Sequence, residues 1–311
     1  MPEVAATDGF RHAVLLYRGF AEYRSALSRF VRDGLARSEP VLLAVPRARF
    51  GLQDWTQDNP GVTAADISEL GRNPARMIPA LRAFADRHLG RRVRIVSESV
   101  WAGRPAGEVR ESIRHEALVD RALADVQATM VCPYSVGGLQ ESVLADAGCT
   151  HQWQLGAAGL LPAEAYGGPG AAPAAALVSL PPPPADAETV EYRASLRPVR
   201  AMVTTVGERA GLPSSQLTDL IIAASEVAAN TLRHTGSGGI ARAWQCGGEV
   251  ICQLADTGFI ADPLAGLRHP SLDEAGGHGL WLVNQVCDLV EIRTGSRGTV
   301  VRLHMRLPGR D

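Results

Sequence analysis

The stretch SEVAANTLRH (225–234) places a carboxylate, Glu226, and a carboxamide, Asn230, four residues apart. On a helix that spacing puts both side chains on one face, one turn apart. A carboxylate there can orient or deprotonate a hydroxyl, and an amide oxygen can ligate a hard cation. Three more short patterns follow in order. DTG (256–258) sets Asp256 at the end of an apolar run beside Gly258. A carboxylate so placed can accept a hydrogen bond from a base edge while the backbone passes close by. GGHGLWLV (276–283) leads glycines straight into helical spacing. Such a start offers backbone N–H groups and the positive end of a helix dipole to phosphates. GTVVRL (298–303) opens a strand with Thr299. Taken singly, each pattern has an ordinary reading: a solvated helix face, a turn, a Gly-rich helix start. Their specificity lies in their order and spacing.

The elements that must position these residues alternate in type. After residue 188 two helical patterns come first, SLRPVRAMVTTVGERAG and SSQLTDLIIAASEVAANTLRHT. Strands GIARAWQC and EVICQLADTG, a short helix LWLVNQVCD, and strands LVEIRTG and GTVVRLHMRL follow. Grouped helices with largely antiparallel strands predict a two-layer α/β sandwich. The first half reads differently. HAVLLY (12–17), PVLLAV (40–45), RVRIVSESV (92–100) and ATMVCPY (128–134) are apolar strand candidates. Helical spacing runs through 21–38, 76–89, 107–126 and 138–148 between them. That alternation predicts a mainly parallel sheet covered by helices on both faces. Between the halves, residues 156–188 are dominated by Gly, Ala and Pro, with four consecutive prolines. This is an expected linker, extended and semi-rigid. The expected division is therefore 1–155, linker 156–188, and 189–311.

Composition sets the outer bounds. The formal net charge is −2, so no global field draws the chain to nucleic acid or an anionic membrane. No lysine occurs anywhere, which excludes a P-loop ending in Gly-Lys-Ser/Thr. The five cysteines, Cys132, Cys149, Cys246, Cys252 and Cys287, are odd in number and show no CxxC spacing. Buried free thiols in a reducing compartment are expected rather than a disulfide framework or a zinc site. The start MPEVAATDGFRH has neither a basic n-region nor an apolar h-region, and no run approaches about 18 apolar residues. A cytoplasmic location is expected.

The four ordered motifs after residue 188 resemble the ATP-binding domain of the GHKL superfamily, shared by gyrase and the histidine kinases. The short loops resemble its anti-sigma-factor serine/threonine kinase branch. The resemblance implies ATP and Mg²⁺ as cofactors. It maps the metal-binding Asn onto Asn230, the general base onto Glu226, and the adenine-recognising Asp onto Asp256 with Gly258 beside it. The phosphate loop maps onto Gly277, His278, Gly279 and Leu280, and the late Thr onto Thr299. His234 falls on the site wall. One departure stands out: where the family often continues Asp-x-Gly-x-Gly, this chain has Ile260. The segment from there to Gly276 would form the lid.

The first half, through HAVLLYRGFAEYRSALSRFVRDGLARSEPVLLAV, RIVSESVW and RHEALVDRAL, resembles the MEDS (methanogen/methylotroph sensory) family on a RecA-like frame. That implies sensing of a small-molecule ligand and leaves the ligand open. His12, Tyr17, Glu98, Trp101, His115 and Glu116 are the residues there whose types could carry recognition. Tyr17 and Trp101 also read as core, and His115, in a histidine-glutamate pair, also reads as an ordinary packing residue.

Together the resemblances imply a signal-responsive anti-sigma-factor-type regulator that binds Mg·ATP and phosphorylates a STAS-type anti-anti-sigma protein on Ser or Thr. The partners implied are that protein and a sigma factor; the resemblance also implies that a homodimer can form, and the sequence leaves the oligomeric state open. The alternative is a non-catalytic adaptor that binds a sigma factor or partner through a vestigial nucleotide site.

Overall fold

The computed structural model describes residues 9–47, 59–168, 173, 176, 178–270 and 277–309. The chain divides into two compact units, 1–178 and 179–311.

In the first unit, β1 (Arg11–Tyr17), β2 (Val41–Val45), β3 (Val62–Asp66), β4 (Val93–Ser97), β5 (Ala128–Ser135), β6 (Trp153–Gly156) and β7 (Gly159–Pro162) form one sheet in the order β3-β2-β4-β5-β1-β6-β7. Every pair is parallel except the β6–β7 hairpin. Strand alternation sorts the side chains between two faces. Ala13, Leu15 and Tyr17 of β1 and Val131 of β5 pack with Tyr23, Leu27, Phe30 and Val31 of α1 (Phe20–Ala36). The opposite parity sends His12 and Cys132 to the other face, where both meet Glu116 of α3 (Ala106–Ala122). Helices therefore cover both faces. Between them in sequence lies α2 (Met77–Asp86), which tolerates Pro79 because first-turn N–H groups have no intrahelical partner. The helix α4 (Glu141–Thr150) precedes β6.

Three strands here differ from the sequence expectation, among them β6, which pairs with both β1 and β7. β3, the short VTAAD, has little apolar signal and is an edge strand beside β2. β7 falls inside the segment expected to be linker: Gly159–Pro162 pairs with Trp153–Gly156. Gly-Ala-rich composition hid a hairpin whose backbone hydrogen bonds need no particular side chain.

The second unit is a five-stranded antiparallel sheet in the order β11-β12-β10-β9-β8. Its strands are β8 (Glu188–Tyr192), β9 (Gly239–Cys246), β10 (Glu249–Asp256), β11 (Leu289–Gly295) and β12 (Gly298–Arg306). The helices α5 (Arg197–Ala210), α6 (Ser214–Thr235) and α7 (His278–Val286) share a single core with one face of it. Val250, Cys252 and Leu254 of β10 and Val301, Leu303 and Met305 of β12 are the inward residues. The two-layer sandwich matches the sequence reading, with β8 added as an unforeseen edge strand. The outer face is polar: Glu249, His304 and Glu291 form a chain of contacts, and Arg302 binds Gln253 and the Pro181 carbonyl. Part of the proline-rich segment is thus tied to this sheet. Among the described residues no helix is long and apolar enough to cross a membrane.

Candidate functional site

A cleft of about 750 Å³ opens between α6, the ends of β10 and β12, and α7. All nine residues singled out in the sequence line it: Glu226, Asn230, Asp256, Gly258, Gly277, His278, Gly279, Leu280 and Thr299. His234 and Ile260 line it as well.

Each side chain owes its place to a local device. Glu226 and Asn230 stand one turn apart on α6, both partly buried. Asp256 ends β10 and is paired in register with Thr299, which opens β12. Its carboxylate is held from two sides: Oδ1 accepts the Gly258 N–H at 2.7 Å and Oδ2 accepts the Thr231 hydroxyl at 2.6 Å. Thr231 in turn accepts from the Tyr192 hydroxyl at 3.1 Å. The Thr299 hydroxyl donates to the Gly258 carbonyl at 2.9 Å, closing the turn after β10. Gly298 is required by this closeness. Its φ is +112°, and an added methyl group would fall 2.0 Å from the Asp256 carbonyl oxygen.

The first turn of α7 faces Glu226 and Asn230. A methyl group at Gly279 would stand 2.8 Å from Glu226 Oε2 and 3.4 Å from Asn230 Nδ2. Gly277 begins the helix in the left-handed region at φ +82°, and no side chain among the described residues caps it. The first N–H groups of a helix lack intrahelical partners. Uncapped and beside a cleft, they suit an anion such as a phosphate. Asn230 Oδ1, the atom suited to a hard cation, accepts Arg233 Nη1 at 3.0 Å on the exposed side of α6.

Beside Asn230, Ala229 is partly buried, while Ala228 is fully buried with Ala223 and Ala224 in the helix–sheet core. Small side chains there let α6 lie close to the sheet, while Val227, Asn230 and Thr231 line the cleft. Ile260 stands where the family often has a second glycine. Its backbone is not left-handed, Ser38 being the one such non-glycine among the described residues. Its N–H donates to Thr294 Oγ1 at 3.0 Å. Nothing there requires a glycine. Farther along, the Gly266 carbonyl accepts Asn284 Nδ2 at 3.0 Å and Leu264 is buried, so this part of the expected lid is anchored to α7. Residues 271–276 of the expected lid and phosphate loop lie outside the described residues. Thr231, Arg233, Thr294 and Asn284 were not foreseen. Nothing local marks them, since each acts by reaching another element.

In the first unit, Tyr17 is core as read, and its hydroxyl and that of Tyr23 donate to the buried Glu98 carboxylate at 3.3 and 2.7 Å. Trp101 lies under the Arg104 guanidinium, 4.3 Å from ring centre to Cζ. His115 is 3% exposed, and neither ring nitrogen has a hydrogen-bond partner among the described residues. Burial drops its pKa to about 4. A ring so enclosed is a packing residue and is inaccessible to phosphoryl transfer. A separate cleft of about 550 Å³ is lined by Arg11, Arg29, Arg37, Arg92 and Arg94 together with Asp33 and Glu39, and Arg94 is paired with Glu39.

Comparison with known proteins follows the same division. Residues 11–152 match the family model of MEDS, the methanogen/methylotroph, DcmR sensory domain. Residues 190–305 match that of the histidine kinase-like ATPase domain. Among solved structures, the RsbU and RsbW domains of Rv1364c from Mycobacterium tuberculosis match at 23% identity with a TM-score of 0.30. That match covers 40% of this chain and 33% of the other. No curated protein matches the chain. The chain therefore joins a MEDS sensory domain to a histidine kinase-like ATPase domain.

Proposed function

We propose that the cleft of the second unit binds Mg·ATP and that the chain is a cytoplasmic, signal-responsive regulator of the anti-sigma-factor type. Its partners in this reading are a sigma factor and a STAS-type anti-anti-sigma protein, the latter phosphorylated on Ser or Thr. The observation that carries the reading is the meeting of Glu226, Asn230 and Asp256 with the uncapped start of α7 in one cleft. Asp256, oriented by Thr231 and Gly258, is set to accept from the exocyclic amine of a purine. The α7 N–H groups would hold phosphate oxygens, and Asn230 Oδ1 would ligate the cation once Arg233 swings aside. Bound Mg²⁺ would supply neutralisation of the charge that develops on the transferred phosphoryl group. Glu226 would take the proton of the attacking hydroxyl. The short turns joining α6 to β9, β9 to β10 and β11 to β12 favour the anti-sigma branch. The MEDS domain would read a small molecule, and two copies of the chain would associate.

Titration calorimetry with ATP tests the site. Wild type is expected to bind more tightly with Mg²⁺ than without it, and Asn230→Ala to lose that difference. Equal Mg²⁺ dependence in the variant would remove Asn230 from the metal role. A second reading, a partner-binding adaptor with a vestigial site, is favoured by the Arg233 guanidinium on Asn230 Oδ1. Incubation with labelled ATP and a STAS-domain protein separates the two. Acid-stable label that is lost in Glu226→Gln supports the kinase, and absence of label on every STAS partner supports the adaptor.

A further inference from the structure

Beneath the sheet of the first unit, four metal-ligating side chains from four separate stretches meet in a dry pocket. His12 comes from β1, Glu116 from α3, Cys132 from β5, and His151 from the junction of α4 and β6. All four are fully buried. Glu116 Oε2 lies 3.0 Å from His12 Nε2, 3.3 Å from Cys132 Sγ and 3.5 Å from His151 Nε2. His12 Nε2 lies 3.4 Å from Cys132 Sγ, and all four atoms fall within 4.8 Å of one another. In a tetrahedral zinc site, with bonds of about 2.0–2.3 Å, neighbouring ligand atoms are roughly 3.3–3.8 Å apart. The side chains thus already stand near ligand spacing.

The protons are arranged for a cation too. His151 Nδ1 lies 2.8 Å from the Ala147 carbonyl, which can only accept, so this nitrogen carries the hydrogen. Nε2 is then a bare lone pair. It has no hydrogen-bond partner and looks at the Glu116 carboxylate, another acceptor. Two acceptors facing each other in a fully buried core are costly unless something positive lies between them. The surroundings fix the ligands as metal sites require. Ser99 donates to Glu116 Oε1. His12 Nδ1 stands 3.0 Å from Asp120 Oδ1, and Asp120 Oδ2 accepts from Gln152 and Tyr166.

We propose that His12, Glu116, Cys132 and His151 bind one divalent transition-metal ion of the zinc class. A thiolate and a carboxylate with two neutral imidazoles balance a charge of two, and sulfur with imidazole selects zinc-type ions over magnesium or calcium. Binding releases two protons to solvent, that of the Cys132 thiol and the one His12 Nε2 holds toward Glu116. With four protein ligands the site is closed, so the ion ties β1, α3, β5 and the start of β6 together rather than activating water. The ATPase reading is independent of this site.

The test uses the full chain, stripped by chelator under mild denaturation and reloaded with Co²⁺. About one equivalent is expected to bind, with a thiolate-to-cobalt charge-transfer band and the visible bands of a tetrahedral site, both displaced by Zn²⁺. Cys132→Ser should lose the charge-transfer band, and Cys246→Ser, an exposed thiol of the second unit, should keep it. Asp120→Asn should retain the spectrum with affinity lower by about 10–100-fold. Wild type that takes up no Co²⁺, or shows no thiolate band, overturns the proposal even if Cys132→Ser fails to fold. So does a band that persists in Cys132→Ser.

Discussion

Thr231 offers the most direct test of how the purine-facing carboxylate is held. Its hydroxyl donates to Asp256 Oδ2 at 2.6 Å and accepts from Tyr192 at 3.1 Å. Thr231 and Tyr192 are each 2% exposed. Thr231→Val keeps the shape and deletes both links. The Tyr192 hydroxyl is then left buried without that acceptor, a loss of about 1–3 kcal/mol. Asp256 is half-buried, so water restores most of its lost bond, leaving about 0.5–1 kcal/mol. Together these predict a loss of about 1.5–4 kcal/mol, which lowers the melting temperature of a unit this size by roughly 5–16 °C. With Asp256 free to turn, ATP affinity should fall about tenfold, or about 1.4 kcal/mol. Thr231→Ser keeps the hydroxyl and should cost about 1 kcal/mol for the lost methyl group, with ATP binding little changed. Calorimetric melting and ATP titration of the three proteins measure all of this. If the Val variant is as stable as the Ser variant and binds ATP equally well, the hydroxyl chain does not position Asp256.

Three further outcomes are expected. Gly298→Ala should destabilise the second unit by more than about 2 kcal/mol, since its φ is +112° and the new methyl would meet the Asp256 carbonyl backbone; a urea midpoint equal to wild type would refute this close approach. Glu226→Gln should lower phosphoryl transfer to a STAS partner by about 100–10,000-fold while changing ATP affinity only slightly, and comparable turnover would remove Glu226 from the base role. His304 governs a pH dependence. Its ring nitrogens lie 2.8 Å from Glu249 and 3.1 Å from Glu291, so both carry protons when they donate. Burial lowers its pKa, but the two carboxylates outweigh burial and raise it above 6.5. A histidine more basic when folded contributes stability that is complete below the unfolded pKa and is lost as pH rises through the folded one. Urea midpoints should therefore decline above about pH 6.5, and His304→Gln should flatten the decline; an equal decline in the variant would exclude His304.

How much was legible beforehand depends on the range of each signal. Strands β1, β2, β4 and β5 announce themselves as apolar runs, and α6 by its periodicity, because each buries a face that its own sequence must supply. Glu226 and Asn230 share a face through helix geometry alone, and the glycines before α7 imply an open helix start. Those features are local, so the nine cleft residues could be named from the chain. The edge strands β3, β7 and β8 could not, because an edge strand is held by backbone hydrogen bonds to a neighbour and needs little apolar patterning.

Four motifs in order, two apolar frames and a Pro-rich division between them were properties of the sequence by itself. Tertiary structure alone decided what holds Asp256, that the alanines of α6 face the core, and that Arg233 sits on Asn230. It alone brought Cys132 and His151 to His12 and Glu116. Cysteine spacing argued against a zinc site, but spacing speaks only for ligands that are neighbours along the chain. Parallel strands joined by crossovers place residues more than a hundred positions apart within bonding distance, and no spacing rule along the chain reaches that far.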